Sequence, residues 1–258
     1  MVSRRVVLAA LALLLAVPLL LGGRCAGSEP TFQPTATGDG PSYLDPRLEE
    51  ILRELIQRPT GELTAADLLS ITELKADGKG IASLAGLEYL ENLESLILDA
   101  NPLEDLAPLG QLKKLRELSI VGTLVSDLAP LAGLVELEVL FLSDSAVADI
   151  SPLAGLTKLR VLVLERNQLS DLSPLAELTE LDLLSLSYNE VSRIDVLANL
   201  TQLRYLLLAG NGNIADLSPL AGLTKLEALA LGGNQVSALD DLSNLKALQL
   251  LGLDGKPH

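Results

Sequence analysis

Residues 159–180 read LRVLVLERNQLSDLSPLAELTE, and the placing of their leucines decides the fold. The apolar frame is Leu159, Leu162, Leu164, Leu169, Leu172 and Leu175, with Asn167 set between the third and fourth. The next 22 residues repeat it as Leu181, Leu184, Leu186, Asn189, Val191, Ile194 and Leu197. Leu162 and Leu164 are two apart, the period of a strand that sends alternate side chains to one face. The later apolar residues come every two or three positions, too tightly for a long helix, and suit turns and 3₁₀ segments. One such unit cannot bury its apolar face alone, so it needs neighbours stacked on both sides.

Those neighbours are present. Leu93, Leu115, Leu137, Leu159, Leu181, Leu203, Leu226 and Leu248 follow one another at intervals of 22, with a single interval of 23 between Leu203 and Leu226. The surplus residue falls in the turn-rich Asn211-Gly212-Asn213-Ile214. Eight units in register match the L-x-x-L-x-L-x-x-N-x-L frame of leucine-rich repeats. The expected fold class is therefore α/β, a leucine-rich-repeat solenoid with a parallel sheet on its concave face and turns and 3₁₀ segments on its convex face.

Two polar ladders run through the array. Asn101, Asn167, Asn189, Asn211 and Asn234 recur, with Thr123 and Ser145 in the missing rungs. They are expected to satisfy buried backbone groups where each strand turns. Asp105, Asp127, Asp149, Asp171 and Asp216 each precede a Leu/Ile-Ser/Ala-Pro-Leu turn, which aspartate can cap. A row of carboxylates also suits Ca²⁺, but Arg193 and Ala238 interrupt it, and no metal is expected.

Upstream of the array, Asp45-Pro46 opens a helical pattern with Leu48, Ile51, Leu52, Leu55 and Ile56 on one face. Thr64-Ala65-Ala66-Asp67 opens a second, shorter one. Residues 44–70 thus read as a helical cap over the raw first edge of a solenoid spanning 71–258. Residues 1–27 read as an export signal: Arg4 and Arg5, an apolar run from Val6 to Leu21, then small residues. An uncleaved anchor helix is the alternative. The apolar run favours the general secretion route over the twin-arginine route. Cys25 is a candidate for lipidation, although Arg24 departs from the usual small residue before such a cysteine. Residues 28–43, rich in Pro, Thr, Ser and Gly, read as a flexible tether. The expected localisation is exported, secreted or in the cell envelope, with membrane contact only through such an N-terminal anchor.

Composition narrows the function. The formal net charge of −15 opposes nucleic acid and anionic lipid surfaces, which select Lys and Arg. One cysteine excludes an intramolecular disulfide. The one histidine is His258, so the array has no imidazole, no thiol and no zinc spacing. Neither a cofactor nor catalysis is expected.

The helical pattern at 44–70, the 22-residue period and the phrase Asp171-Leu172-Ser173-Pro174-Leu175-Ala176-Glu177-Leu178-Thr179, with its counterpart from Asp216 to Thr224, resemble internalin-type bacterial repeat proteins. The resemblance covers roughly residues 45–254. It implies a curved, right-handed solenoid whose concave sheet grips a protein. Internalins often add an immunoglobulin-like cap and a cell-wall sorting signal; Asp254-Gly255-Lys256-Pro257-His258 encodes neither. A second reading is a structural part that oligomerises by stacking through its C-terminal rung, where Leu248, Leu251 and Leu253 fall.

The candidate protein-binding residues lie between and beside the inward leucines, where side chains are expected to meet solvent. Val139, Phe141, Val161, Val163, Leu183, Tyr205 and Leu207 form one apolar stripe, with Ile97 in the same columns and Tyr188 at its edge. An idle sheet would carry Lys, Glu, Thr and Ser there, and contiguous apolar patches with aromatic anchors mark interaction sites. Asp77, Asp99, Glu117 and Glu165 border the stripe and favour basic groups on the partner.

Overall fold

The computed structural model of the chain describes residues 44–61 and 63–253. The signal and tether readings, Cys25 and His258 fall outside them. No helix among the described residues is long and apolar enough to cross a membrane.

Helix α1, Pro46–Leu55, begins where the sequence places it. The Asp45 carboxylate accepts the Arg47 and Leu48 amides at 2.8 and 3.4 Å, with Pro46 in the first turn. Leu48 and Leu52 are buried and Ile51 is half-buried, but Leu55 of the same stripe stays exposed. Helix α2, Ala65–Leu69, starts with a capping box in which Thr64 and Asp67 each accept the other's backbone amide. Arg47 Nη1 donates to the Gly80 carbonyl at 2.6 Å, tying α1 to the first coil.

The strands are β1 (Glu73–Lys75), β2 (Ser95–Ile97), β3 (Glu117–Ser119), β4 (Val139–Phe141), β5 (Val161–Val163), β6 (Leu183–Ser185), β7 (Tyr205–Leu207), β8 (Ala228–Ala230) and β9 (Leu250–Gly252). They form one sheet of nine parallel strands in sequence order. Leu140 pairs with Leu162, and Leu162 with Leu184, so equivalent leucines meet across every step. The 23-residue interval is absorbed without loss of register, as Leu206 pairs with Leu229. Behind the sheet, turns such as Ser173–Leu175 and Ser218–Leu220 are 3₁₀. One apolar cluster fills the space between, reaching from Leu44 in the cap region to Leu245 in the last coil. Burying a leucine contributes roughly 1.5–3 kcal/mol, and a leucine lattice in register explains a core that lacks aromatics.

Both ladders serve the backbone. Asn167 Oδ1 accepts the Val147 amide at 3.1 Å, while its Nδ2 donates to the Leu142 and Leu164 carbonyls at 2.8 and 3.1 Å. Asn101, Asn189 and Asn211 repeat this pattern. Asn234 keeps its two carbonyls, but its buried Oδ1 has no partner among the described residues. The extra residue at 211–214 carries the expected Ile214 amide away. Asp171 Oδ1 accepts the Ser173 amide at 2.8 Å, and Asp105, Asp127, Asp149 and Asp216 do likewise for their own turns. These contacts hold the Asp171 and Asp216 carboxyls below the usual range. No group of three or more His, Cys, Asp or Glu side chains converges as a metal site among the described residues.

Candidate interaction face

The sheet's outer side is built in columns, because each residue lies beside its equivalent in the next strand, about 4.8 Å away. The column just before the strands reads Glu94, Arg116, Glu138, Arg160, Asp182, Arg204 and Glu227, alternating in sign throughout. Arg116 meets Glu138 at 3.2 Å, and Arg204 reaches Glu227 at 2.8 Å and Asp182 at 3.8 Å. Arg160, at the centre, has a buried Nε without a hydrogen-bond partner among the described residues. The flanking arginines hold the neighbouring carboxylates. Sequence reading missed this row, although the sign alternation at the 22-residue period was there to find.

The apolar stripe lies on the expected side, but its exposure requires correction. Val139, Val161, Val163 and Leu183 are buried, Val161 and Leu183 completely, with 0% exposed. They form a second apolar cluster, separate from the leucine core, against which Phe141 and Tyr205 pack. The cause is lateral: on an inward-curving sheet, β-branched and leucine side chains in register close over one another. A side chain that points away from the core does not thereby face water. Ile97, Phe141, Tyr205 and Leu207 remain half-buried. The accessible part of the stripe is thus these four residues, of which Phe141 and Tyr205 pack on the buried apolar bed.

Polar residues on the same face are pinned. Ser185, completely buried, donates its hydroxyl to Glu165 at 2.5 Å, and Ser119 donates to Asp99 at 2.6 Å. Burial pushes the Glu165 carboxyl above the usual range, with Ser185 and Arg166 opposing. Burial likewise raises Asp182 against the pull of Arg204 and Arg160. Burial and then the charge of Asp99 raise Asp77.

Along the edge runs a column of left-handed backbone: Gly78, Ala100, Gly122, Asp144, Arg166, Tyr188, Gly210 and Gly233 all have positive φ, from 52° to 71°. Glycine at four of these positions was the sequence signal for the turn. Tyr188 stands in this column, 45% exposed. The Arg166 guanidinium lies 4.6 Å from its ring centroid. On the other side, a Cβ at Gly210 would come within 2.6 Å of the ring. Tyr188 is therefore held upright at the rim by a cation and a glycine.

These columns define a leucine-rich-repeat solenoid. Models described as "Leucine Rich repeats (2 copies)" match residues 135–177 and 201–244, and one described as "Leucine rich repeat" matches 157–212. Internalin C2 of Listeria monocytogenes is similar over 82% of this chain and 94% of its own, at 37% identity and a TM-score of 0.78. The internalin InlF of the same organism matches 82% of this chain and 76% of its own, at 33% identity and a TM-score of 0.62. A leucine-rich-repeat protein of Leptospira interrogans, 22% identical over 73% of this chain and 56% of its own, shares the fold with a TM-score of 0.62. Among curated protein sequences none matches. The chain belongs to the internalin-type leucine-rich-repeat proteins, which are protein-interaction modules.

Proposed function

We propose that this protein is exported to the cell envelope or beyond and binds a partner protein on the concave face of its sheet, without catalysing a reaction. The observation that carries the reading is half-exposed Phe141 and Tyr205 packed on the buried bed of Val139, Val161, Val163 and Leu183, with half-exposed Ile97 and Leu207 in the same columns and Tyr188 at the rim. A rigid apolar floor with projecting aromatics lowers the ordering cost of association, and Tyr and Arg are favoured anchors. Arg160, whose buried Nε has no hydrogen-bond partner among the described residues, adds a cation in mid-face. The described residues contain no histidine or cysteine. Export rests on the sequence of residues 1–27. Capture of the native partner by Leu207→Asp and Phe141→Ala, against the convex-side control Glu177→Ala, tests the assignment. Both concave variants are expected to lose capture with unchanged circular dichroism; wild-type capture by both would refute it. Val163 is unsuitable for such a test, because a charge there would disrupt the buried bed.

A second reading, stacking through the last rung, has one observation in its favour. Leu251 is 37% exposed, whereas Leu229, its equivalent one strand earlier, is buried. Oligomers abolished by Leu251→Lys, with no partner retained on the concave face, would favour it.

A further inference from the structure

Among the described residues, the outer edge of the first strand is unpaired. Thr72 and Ala76 direct their backbone to β2: the Ser95 amide donates to the Thr72 carbonyl at 3.1 Å, and the Ala76 amide to the Ile97 carbonyl at 2.9 Å. Alternation along the strand turns the N–H and C=O groups of Glu73 and Lys75 to the opposite side, where they form no hydrogen bond among the described residues. Helix α1 runs beside this edge without closing it. Between them lies a cleft of about 400 Å³ lined by Ile51, Glu54, Leu55, Glu73, Leu74 and Lys75. Leu55, which the amphipathic pattern assigns to the core, is 50% exposed on its wall. The Glu54 and Glu73 carboxylates make no hydrogen bond or ion pair among the described residues, and these two acids outnumber the single Lys75 in the lining.

We propose that this cleft is a second docking groove, which takes an extended segment of a partner protein as an added strand on β1. Each part of the segment has its counterpart. Free donors and acceptors at alternate residues of β1 select an extended backbone. Ile51 and Leu55 select an apolar side chain. Glu54 and Glu73 select a basic one beside it. A second copy of this chain fits less well, since its own last strand, Leu250–Gly252, supplies no basic residue. The groove stands three strands or more from Phe141, Tyr205 and Leu207, while Lys75 pairs with Ile97, so Phe141→Ala is the variant that separates it from the concave-face assignment.

The test uses the isotopically labelled protein and a blocked octapeptide alternating valine and lysine, with glutamate-for-lysine and backbone N-methylated versions as controls. The lysine peptide is expected to shift the amide signals of Glu73 and Lys75 and slow their hydrogen exchange, while neither control does so. Leu55→Asp and Glu54→Lys are each expected to weaken binding about ten-fold or more, while Phe141→Ala leaves it unchanged. Unshifted β1 amides, equal binding of either control, or loss of the β1 signals through self-association without peptide would each overturn the proposal.

Discussion

Asn167 bonds four backbone groups with one side chain, and two of them depend on it alone, which sets its expected cost. Asn167→Ala strands the Val147 amide and the Leu142 carbonyl, while the Leu164 carbonyl keeps its bond from Asn189. At one to a few kcal/mol for each buried unsatisfied group, relieved in part by relaxation, a loss of about 2–4 kcal/mol is expected in denaturant melts. Asn234→Ala should cost roughly half as much, because Oδ1 there already lacks a partner. Equal losses would mean that the ladder acts through something other than these bonds. Glu165 yields a pH signature. Its carboxyl is raised above the ordinary 4.5 chiefly by burial, so the folded state binds the proton more tightly than the unfolded chain does. The resulting stability is fully present below 4.5 and lost as pH rises through the higher folded value. Glu165→Gln escapes that loss. The variant should therefore exceed wild type in stability at about pH 8, with the gap closing by about pH 4. A gap that widened on acidification would reverse the sign of the argument. Asp171 runs the other way: the Ser173 amide and hydroxyl lower its carboxyl, so its contribution is present above 3.8 and lost as pH falls through the lower folded value.

At the scale of the element, the strands and turns were legible because their period leaves one register in which the recurring frame leucines, such as Leu159, Leu162 and Leu164, are buried. Leu162 faces the core with 0% exposed, and Leu162→Ala should cost about 2–5 kcal/mol, far more than the surface change Gln168→Ala. Urea melts that failed to separate the two would contradict the register. The surplus residue was equally legible, as Asn211-Gly212-Asn213-Ile214 is where the frame slips. Its consequence was not, since the stranded Oδ1 of Asn234 appears only once two coils are stacked. Deleting Gly212 should restore an amide to that oxygen and leave stability unchanged or raised by about 1 kcal/mol, as one regained hydrogen bond implies. A clear drop in the melting midpoint would show that the bulge is required. Exposure on the sheet was the part misread. Alternation tells which side Val161 and Leu183 occupy, but their burial depends on bulky neighbours one strand away, 22 residues distant in sequence. Leu55 erred in the opposite sense: its helix face predicts burial, and the cap leaves it at an open cleft.

Across the whole molecule the two faces differ in kind. The convex side carries short turns closed by aspartates and prolines, repeated with little variation from coil to coil. The concave side changes from strand to strand: Ser95 and Ile97 at β2, Glu117 and Ser119 at β3, a largely apolar and aromatic middle from β4 to β7, and small residues at β8. Variation on a fixed frame is how a repeat array acquires a specific surface. A photo-crosslinking residue placed at Leu207, at Tyr188 and, on the convex side, at Glu177 would read that surface directly in the protein's native setting. The account predicts one and the same protein adduct from Leu207 and Tyr188, absent from Glu177 and abolished by Phe141→Ala. An adduct formed from Glu177 alone, or equally from all three positions, would contradict it.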